Sequence, residues 1–142
     1  MVNEFFLALS KRTRLHVMKI RRATKKDWTK IRGLIALYPN QLMQEDIPQP
    51  EKFFVAEEDG KIVGCCALDI YSQRIAEVRS LAVLKKFWGQ GIGKRLVEAC
   101  LKKARTKKIY EVFAITSRAS FFEQLGFATF QQEKTALFKK LR

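Results

Sequence analysis

Three glycines stand within five residues, at Gly89, Gly91 and Gly93, directly before a segment whose apolar residues follow helical spacing. The first turn of a helix has N–H groups without acceptors and the positive end of the helix dipole, so it favours phosphate. Glycine lets the backbone approach such a ligand closely. The pattern therefore predicts a phosphate-binding loop. Four nearby cations either neutralise that phosphate or are ordinary solvated side chains: Lys85, Lys86, Lys94 and Arg95.

The segment before the loop, "AEVRSLAV" at 76–83, places two charged side chains in an otherwise apolar strand pattern. On a regular strand Glu77, Arg79 and Leu81 share one face, because side chains alternate. A carboxylate beside a guanidinium on one face has two interpretations. It is either a structural ion pair or a pair of reactive groups just before the phosphate loop.

These groups must be positioned by the surrounding elements, which we predict as one mixed α/β domain over residues 18–142. The predicted order is β-α-(α)-β-β-β-α-β-α-β-β. The sheet is largely antiparallel and splayed between the strands "AEVRSLAV" and "IYEVFAI". Residues 1–17 form an N-terminal extension, either a short helix or frayed tail, or an anchor to a membrane surface or nucleic acid.

Local signals place the elements along the chain. Thr24 and Asp27 resemble a capping box before the first helix, 28–38. Asp59-Gly60 between two apolar runs is a strong hairpin signal. The remaining predicted elements are a helix from Ile92 to about Lys107, the strand "KIYEVFAIT" at 108–116, a short helix ended by Gly126 and a closing hairpin over 127–141.

Composition excludes a disordered chain, because 47% of the 142 residues are apolar. The balance of 28 Lys+Arg against 14 Asp+Glu gives a net charge of +14. Such a field attracts anions: nucleic acid, an acidic membrane, a phosphorylated cofactor or an acidic substrate. Charge alone does not choose among these classes of partner.

The three cysteines and His16 show no metal-ligand spacing, so we predict no metal site. Cys65 and Cys66 are adjacent in a strand and should face opposite ways. With Cys100 they are interpreted as small core residues in a reducing compartment, which makes a cytoplasmic location the expectation. We also expect no membrane span and no signal peptide, because the chain lacks the corresponding apolar runs.

Two common phosphate loops do not fit the glycine pattern. A Walker loop needs Lys followed by Ser or Thr, whereas Lys94 is followed by Arg95. A Rossmann fingerprint needs G-x-G-x-x-G after the first strand. Here the glycines alternate, and the loop follows the fourth predicted strand.

The loop and its strand resemble the GNAT acetyltransferase family. The family signature is a fourth strand ending in "LAV", a short loop and R/Q-x-x-G-x-G/A at the start of the long helix. This chain has "LAV" at 81–83 and "WGQGIG" at 88–93. The segments "IRRATKKDW" and "FFEQLGF" are also typical and stand in the expected order, so the resemblance covers residues 18 to about 138. More narrowly, "FFVAEEDGKIVGCCAL", "AEVRSLAV" and "VFAIT" look like the acetyltransferase domain of N-acetylglutamate synthases and their single-domain relatives.

This resemblance implies the GNAT fold, an α+β domain with a splayed, mostly antiparallel sheet flanked by helices, and acetyl-CoA as cosubstrate. A backbone N–H near the end of the fourth strand would polarise the thioester oxygen. The usual Arg or Gln at the first loop position is Trp88; its amide can still serve, but a cation is lost and weaker pyrophosphate binding is expected. The implied cofactor-binding residues are Leu81, Ala82, Val83, Trp88, Gly89, Gln90, Gly91, Ile92, Gly93 and Lys94.

The resemblance also assigns roles to the reactive candidates. Glu77 is the base that takes a proton from the attacking amine, since an α-amino group has a pKa near 8. Arg79 holds the carboxylate of the acceptor. The family's usual acid, a Tyr, is replaced by Phe122. Thr116 or Ser117 stands where glutamate-acetylating relatives carry a hydroxyl, and it either protonates the CoA thiolate or caps the next helix.

The implied acceptor is a primary amine, and the most specific hypothesis is the α-amino group of a small acidic amino acid such as glutamate. A net charge of +14 should repel cationic polyamines and aminoglycosides. Glutamate-type synthases usually carry an Arg-Ser step after the first helix, where this chain has Asn40-Gln41. The alternatives are protein or peptide N-acetylation, and a non-catalytic module that binds acetyl-CoA or nucleic acid. Nucleic acid ranks below a small-molecule partner, and a homodimer is compatible with the sequence.

Overall fold

A five-stranded sheet lies at the centre of the computed structural model, which describes residues 18–129 and 134–142. Its strands lie in chain order, antiparallel from β1 to β4, with β5 parallel to β4. This arrangement confirms the predicted α+β class. The strands are β1 (Met18–Arg22), β2 (Phe53–Glu58), β3 (Lys61–Ile70), β4 (Ile75–Val83) and β5 (Glu111–Phe113).

Helices cover both faces of the sheet. The described helices are α1 (Trp28–Ala36), α2 (Ile92–Thr106) and α3 (Ala119–Glu123), with single 3₁₀ turns at Lys25–Asp27, Pro50–Lys52 and Lys85–Phe87. The turn between β2 and β3 has positive φ at Asp59 and Gly60, 49° and 77°, which confirms the predicted hairpin. The connection 37–49 contains turns and bends, so the short helix allowed there is not formed.

Burial on both faces explains why β3 is apolar almost throughout. Cys65 belongs to the core between the sheet and α1, whereas Cys66 belongs to the core that α2 covers. The two neighbouring side chains therefore face opposite ways, as alternation predicts. Both thiols are fully buried, and burial raises the pKa of Cys65 to about 12.

The sheet opens between β4 and β5. The two strands pair over only three residues, from Ile75 opposite Glu111 to Glu77 opposite Phe113. Beyond that point β4 continues to Val83, and no described strand pairs with it on this side. The predicted splay is therefore present, and its narrow end lies at Glu77.

Two predictions near the C-terminus need correction. The strand predicted over 108–116 is present but shorter, from Glu111 to Phe113, and positive φ at Lys108 (57°) turns the chain shortly before it begins. The closing hairpin is also not formed in its described residues, 127–129 and 134–142, which belong to no strand. Side chains that would anchor a strand by burial are 78–89% exposed there: Leu137, Phe138 and Leu141. The predicted N-terminal extension lies outside the described residues.

A buried carboxylate fixes the chain between β1 and α1. Asp27 accepts the backbone N–H of Thr24 at 2.8 Å, which is the acidic half of the predicted capping box. The guanidinium of Arg21 donates to both Asp27 oxygens at 2.8 and 2.9 Å. These hydrogen bonds, first that of Arg21, lower the pKa of Asp27 from its usual 3.8 to about 2.

This ion pair predicts an acid-sensitive part of the fold's stability. Because the pKa of Asp27 is lowered in the folded chain, its contribution is present above about pH 4 and is lost as the pH falls toward 2. We expect Asp27→Asn to reduce the free energy of unfolding by about 2 kcal/mol at pH 7. Denaturant titrations across pH 2–7 measure this difference.

Glu57→Gln is the matched control for that variant. Glu57 lies 3.5 Å from Arg21 and is partly exposed, so its removal should cost less than about 1 kcal/mol. Equal losses for the two variants, or a loss in Asp27→Asn that is as large at pH 2 as at pH 7, would contradict the assignment.

Candidate active site

A β-bulge interrupts β4 between its charged residues and its apolar end. In the register with β3, Arg79 lies opposite Ala67 and Ala82 lies opposite Cys65. Two residues of β4 therefore face one residue of β3 across the gap. Ser80, at the bulge, has φ of 57°. Such a bulge takes peptide groups out of the ladder and reverses the side-chain alternation beyond it.

The reversal corrects the prediction that Leu81 shares a face with Glu77 and Arg79. Arg79 points to the α1 side, because its partner Ala67 belongs to that core, and Ala82 follows it there. Leu81 packs into the core under α2. The sequence could not reveal this change, because a bulge leaves no mark in the apolar pattern of "SLAV".

Glu77 lies at the narrow end of the splay, opposite Asp69 of β3. Its Oε1 accepts the hydroxyl of Tyr71 at 2.6 Å. The Tyr71 ring stacks on Phe113 of β5, with centroids 6.2 Å apart. Burial, together with the bond to Glu77, raises the pKa of Tyr71 to about 12, so the hydroxyl stays protonated and continues to donate. The carboxylate is thereby fixed where β4 and β5 separate.

Arg79 pairs with Asp69 across the strands. Its Nη1 lies 3.6 Å from Asp69 Oδ2, and its Nη2 donates to the carbonyl of Asp46 at 3.1 Å. Lys52 approaches Asp69 more closely, at 2.8 Å. Arg79 therefore contacts Asp69 and the connection after α1, whereas Glu77 accepts a hydrogen bond from Tyr71.

Asp69, Tyr71 and Lys52 were not among the predicted site residues. A signal for Asp69 existed, since it is a carboxylate within the apolar run "GCCALDI" and is only 9% exposed. A buried carboxylate needs charged or hydrogen-bonding partners. Its register opposite Glu77 could not be read from the sequence, because it depends on how the strands pair.

The glycine loop has positive φ at two of its three glycines. Gly89 and Gly91 both have φ of 80°, on either side of Gln90. Alternating backbone of this kind turns successive N–H groups toward one point. Helix α2 begins at Ile92, and a Cβ placed on Gly91 would have nothing within 4 Å. The space beside Gly91 is therefore open, whereas a Cβ placed on Gly93 would lie 3.4 Å from the ring of Phe121.

Trp88 makes different contacts from those expected. Its backbone N–H, predicted to serve the phosphate, donates to the carbonyl of Lys85 at 3.1 Å. Its indole N–H donates to the carbonyl of Val83 at 2.8 Å. The hydroxyl of Tyr38 donates to the same carbonyl. The Tyr38 and Trp88 rings stack with centroids 6.1 Å apart.

The two candidate hydroxyls lie in the exposed segment between β5 and α3. Thr116 Oγ1 accepts the backbone N–H of Arg118 at 2.9 Å. This contact is a local turn before α3, and it leaves the hydroxyl proton of Thr116 free to donate elsewhere. Phe122, at the family's usual Tyr position, is only 7% exposed and belongs to the core under α2.

Residues 18–129 and 134–142 contain a cavity of about 670 Å³ between the β2–β3 turn, the start of α1 and Leu84–Phe87. The candidate phosphate cation Lys86 lines it, whereas none of the predicted catalytic, cofactor-binding or acceptor-binding residues does. Among the described residues no group of three His, Cys, Asp or Glu side chains is arranged to bind a metal ion. None of their helices has both the length and the apolar character of a membrane span.

Comparison with known sequences agrees with this geometry. The pattern of the acetyltransferase (GNAT) family matches residues 17–127. An uncharacterized N-acetyltransferase of Chlorobaculum tepidum is 41% identical over 81 residues, which are 57% of this chain and 52% of the relative. An amino-acid acetyltransferase of Mycobacterium tuberculosis is 33% identical over 116 residues, 76% of this chain and 67% of the relative. The chain thus spans about half to two thirds of these relatives.

Solved structures share the fold. A Mycobacterium tuberculosis protein in complex with CoA superposes with a TM-score of 0.72 at 32% identity, over 76% of this chain and 70% of that one. N-acetylglutamate synthase from Neisseria gonorrhoeae, complexed with CoA and N-acetyl-glutamate, gives 0.69 at 26% identity, over 76% of this chain and 27% of that one.

These matches cover the splayed sheet, the bulged β4 and the glycine loop together. The family pattern spans residues 17–127, well over half of the chain. The chain therefore belongs to the acetyltransferase (GNAT) family, whose cosubstrate is acetyl-CoA.

Proposed function

We propose that this protein transfers the acetyl group of acetyl-CoA to the α-amino group of a small amino acid that carries a carboxylate, with glutamate as the best candidate. The observation that carries the proposal is the position of Glu77, fixed by Tyr71 at the narrow end of the splay and on the same strand face as Arg79. Relatives named amino-acid acetyltransferase support the same class of acceptor.

Glu77 is the general base of this proposal. An amino acid reaches the site mainly as an ammonium ion, because even at a peptide N-terminus the α-amino group has a pKa of about 8, and the carboxylate of a free amino acid raises it further. Tyr71 occupies Oε1 of Glu77, so Oε2 can accept a proton from the ammonium, directly or through water. The freed nitrogen then forms a bond to the acetyl carbon while the bond from that carbon to sulfur breaks.

Acetyl-CoA supplies an acetyl group activated as a thioester. The amides of 90–94 would hold its pyrophosphate, because positive φ at Gly89 and Gly91 turns them toward one point. A peptide N–H near the end of β4, from Leu81 to Val83, is the donor we assign to the thioester oxygen, because β5 pairs with β4 only as far as Glu77. The departing thiolate takes up the second proton, which the nitrogen loses as it becomes an amide, and the hydroxyls of Thr116 and Ser117 are the candidates to relay it.

Arg79 is the proposed anchor for the acceptor carboxylate. Its side chain is 17% exposed, so it is accessible but held. The Asp69 carboxylate is shared, and Lys52 takes the shorter contact at 2.8 Å against 3.6 Å for Arg79. A guanidinium has five N–H donors, so Arg79 keeps donors for a second carboxylate.

The acceptor class is tested by acetyl-CoA turnover, read by thiol release, with amino acids, polyamines and peptides. We expect the highest kcat/KM with an acidic amino acid. Arg79→Ala should raise the KM for that acceptor about tenfold with a smaller change in kcat, because the anchor acts in both ground and transition states. Arg105→Ala removes an exposed cation on α2 and should leave this KM nearly unchanged. Turnover confined to peptides would contradict the proposal.

The base assignment predicts a pH signature. Glu77→Gln should lower kcat/KM by about a hundredfold near pH 7, and the deficit should narrow as the pH rises and free amine accumulates. Glu111→Gln, which removes a carboxylate from neighbouring β5, is the control. Parallel pH profiles for wild type and Glu77→Gln, or an equal loss of activity and melting temperature in both variants, would exclude Glu77 as base.

The cofactor seat predicts a contrast between two glycines. Gly91 and Gly60 have φ of 80° and 77°, and neither has an atom within 4 Å of a Cβ placed on it. Aspartate at either position should therefore cost a similar amount of stability, about 1 kcal/mol. Only Gly91→Asp should abolish CoA binding in calorimetry, because its carboxylate would occupy the phosphate seat and repel the phosphate. Equal CoA affinity in the two variants would place that seat elsewhere.

A further inference from the structure

We infer that Arg118, which lies over the ring of Trp88, supplies a cation for the CoA pyrophosphate. The loop itself lacks this cation, because position 88 is Trp where the family pattern has Arg or Gln. The inference rests on the proposed function, since it assumes that the loop binds CoA. It concerns a residue of the segment between β5 and α3, far from the loop in sequence. Its chemistry is that of a guanidinium binding a diphosphate.

The Trp88 ring is a fixed surface at the start of the loop. Its N–H is bound to the carbonyl of Val83 at 2.8 Å, and its face stacks with Tyr38. The ring is therefore held by the end of β4 and by the segment after α1. It remains 40% exposed, so part of its surface is open to another group.

Arg118 lies over this ring. Its Cζ is 4.5 Å from the Trp88 ring centroid, a distance at which guanidinium and indole attract each other. In the described part of the chain the guanidinium has no carboxylate within ion-pair distance. A guanidinium has five N–H groups, and a pair of them matches two phosphate oxygens. Its charge is thus oriented by the ring and available to an anion.

A second contact brings the same turn to the other end of the loop. A Cβ placed on Gly93 would lie 3.4 Å from the ring of Phe121. The N–H of Phe121 donates to the carbonyl of Arg118 at 3.2 Å. The turn that begins at Arg118 therefore touches both position 88 and position 93. Between these two positions lie the amides of the phosphate seat.

Two other cations near the loop, Lys94 and Lys85, are placed less favourably for this role. Lys94 lies 4.0 Å from Glu98, which shares its charge. Lys85 lies 6.0 Å from the Trp88 centroid, farther than Arg118. Arg118 is the cation that combines close stacking, a free charge and contact of its own turn with the loop.

Calorimetry with three ligands tests the inference. Arg118→Gln should raise the Kd for CoA about five- to tenfold. The same factor is expected for dephospho-CoA, which keeps the pyrophosphate but lacks the 3′-phosphate, and no change is expected for pantetheine, which has neither. Arg105→Gln is the control for net charge, because this exposed residue lies roughly 20 Å along α2 from its start.

A double-mutant cycle tests the role of the ring. Trp88→Ala should weaken CoA binding, and adding Arg118→Gln to it should cause little further loss, because the ring no longer orients the guanidinium. Trp88→Arg places a cation in the loop itself and should restore CoA affinity to Arg118→Gln. Additive losses in the cycle would overturn the inference.

The ligand series separates the inference from the proposed function. If wild type binds CoA and acetylates an amino acid while Arg118→Gln matches Arg105→Gln, the inference is wrong and the proposed function stands. A penalty that disappears with dephospho-CoA would assign Arg118 to the 3′-phosphate and overturn the inference. A wild type that does not bind CoA would contradict both.

Discussion

One extra residue in β4 determines how the two halves of the site meet. Ser80 holds a positive φ of 57°, a conformation that costs a residue other than glycine about 1 kcal/mol or more. With the bulge, Arg79 points toward α1 while Leu81 packs under α2. A regular strand would send Leu81 to the side of the charged residues and remove it from the core. The burial of both sheet faces therefore depends on the same distortion that frees the peptide groups of β4.

Two carboxylates face each other across β3 and β4, and they have different partners. Asp69 is neutralised by Lys52 and Arg79, whereas Glu77 receives the neutral hydroxyl of Tyr71. A hydroxyl donor orients a carboxylate without neutralising it. The arrangement thus leaves one negative charge directed into the splay beside a cationic residue. This asymmetry suits a site that takes a proton from an ammonium ion and binds a carboxylate.

The sequence predicted those features that short-range chemistry specifies. The hairpin at Asp59-Gly60 and the start of α2 after Gly91 follow from backbone preferences that a few residues reveal. The bulge and the partners of Arg79 depend on strand register, which is set by packing between distant segments. The hairpin over 127–141 was predicted but is not formed in its described residues. Apolar alternation indicates a strand only where other elements pack against its apolar face.

The carbonyl of Val83 links two segments to which the proposed function assigns different ligands. It accepts hydrogen bonds from Tyr38 and Trp88. Tyr38 lies in the connection after α1, which reaches Arg79 through the carbonyl of Asp46. Trp88 begins the glycine loop. A displacement of either donor changes the geometry available to the other. By thermodynamic linkage, if a bound acceptor changes the affinity for CoA by some factor, then bound CoA changes the affinity for the acceptor by the same factor. Under the proposed function, a single peptide oxygen thus contacts both the segment that reaches Arg79 and the loop assigned to CoA.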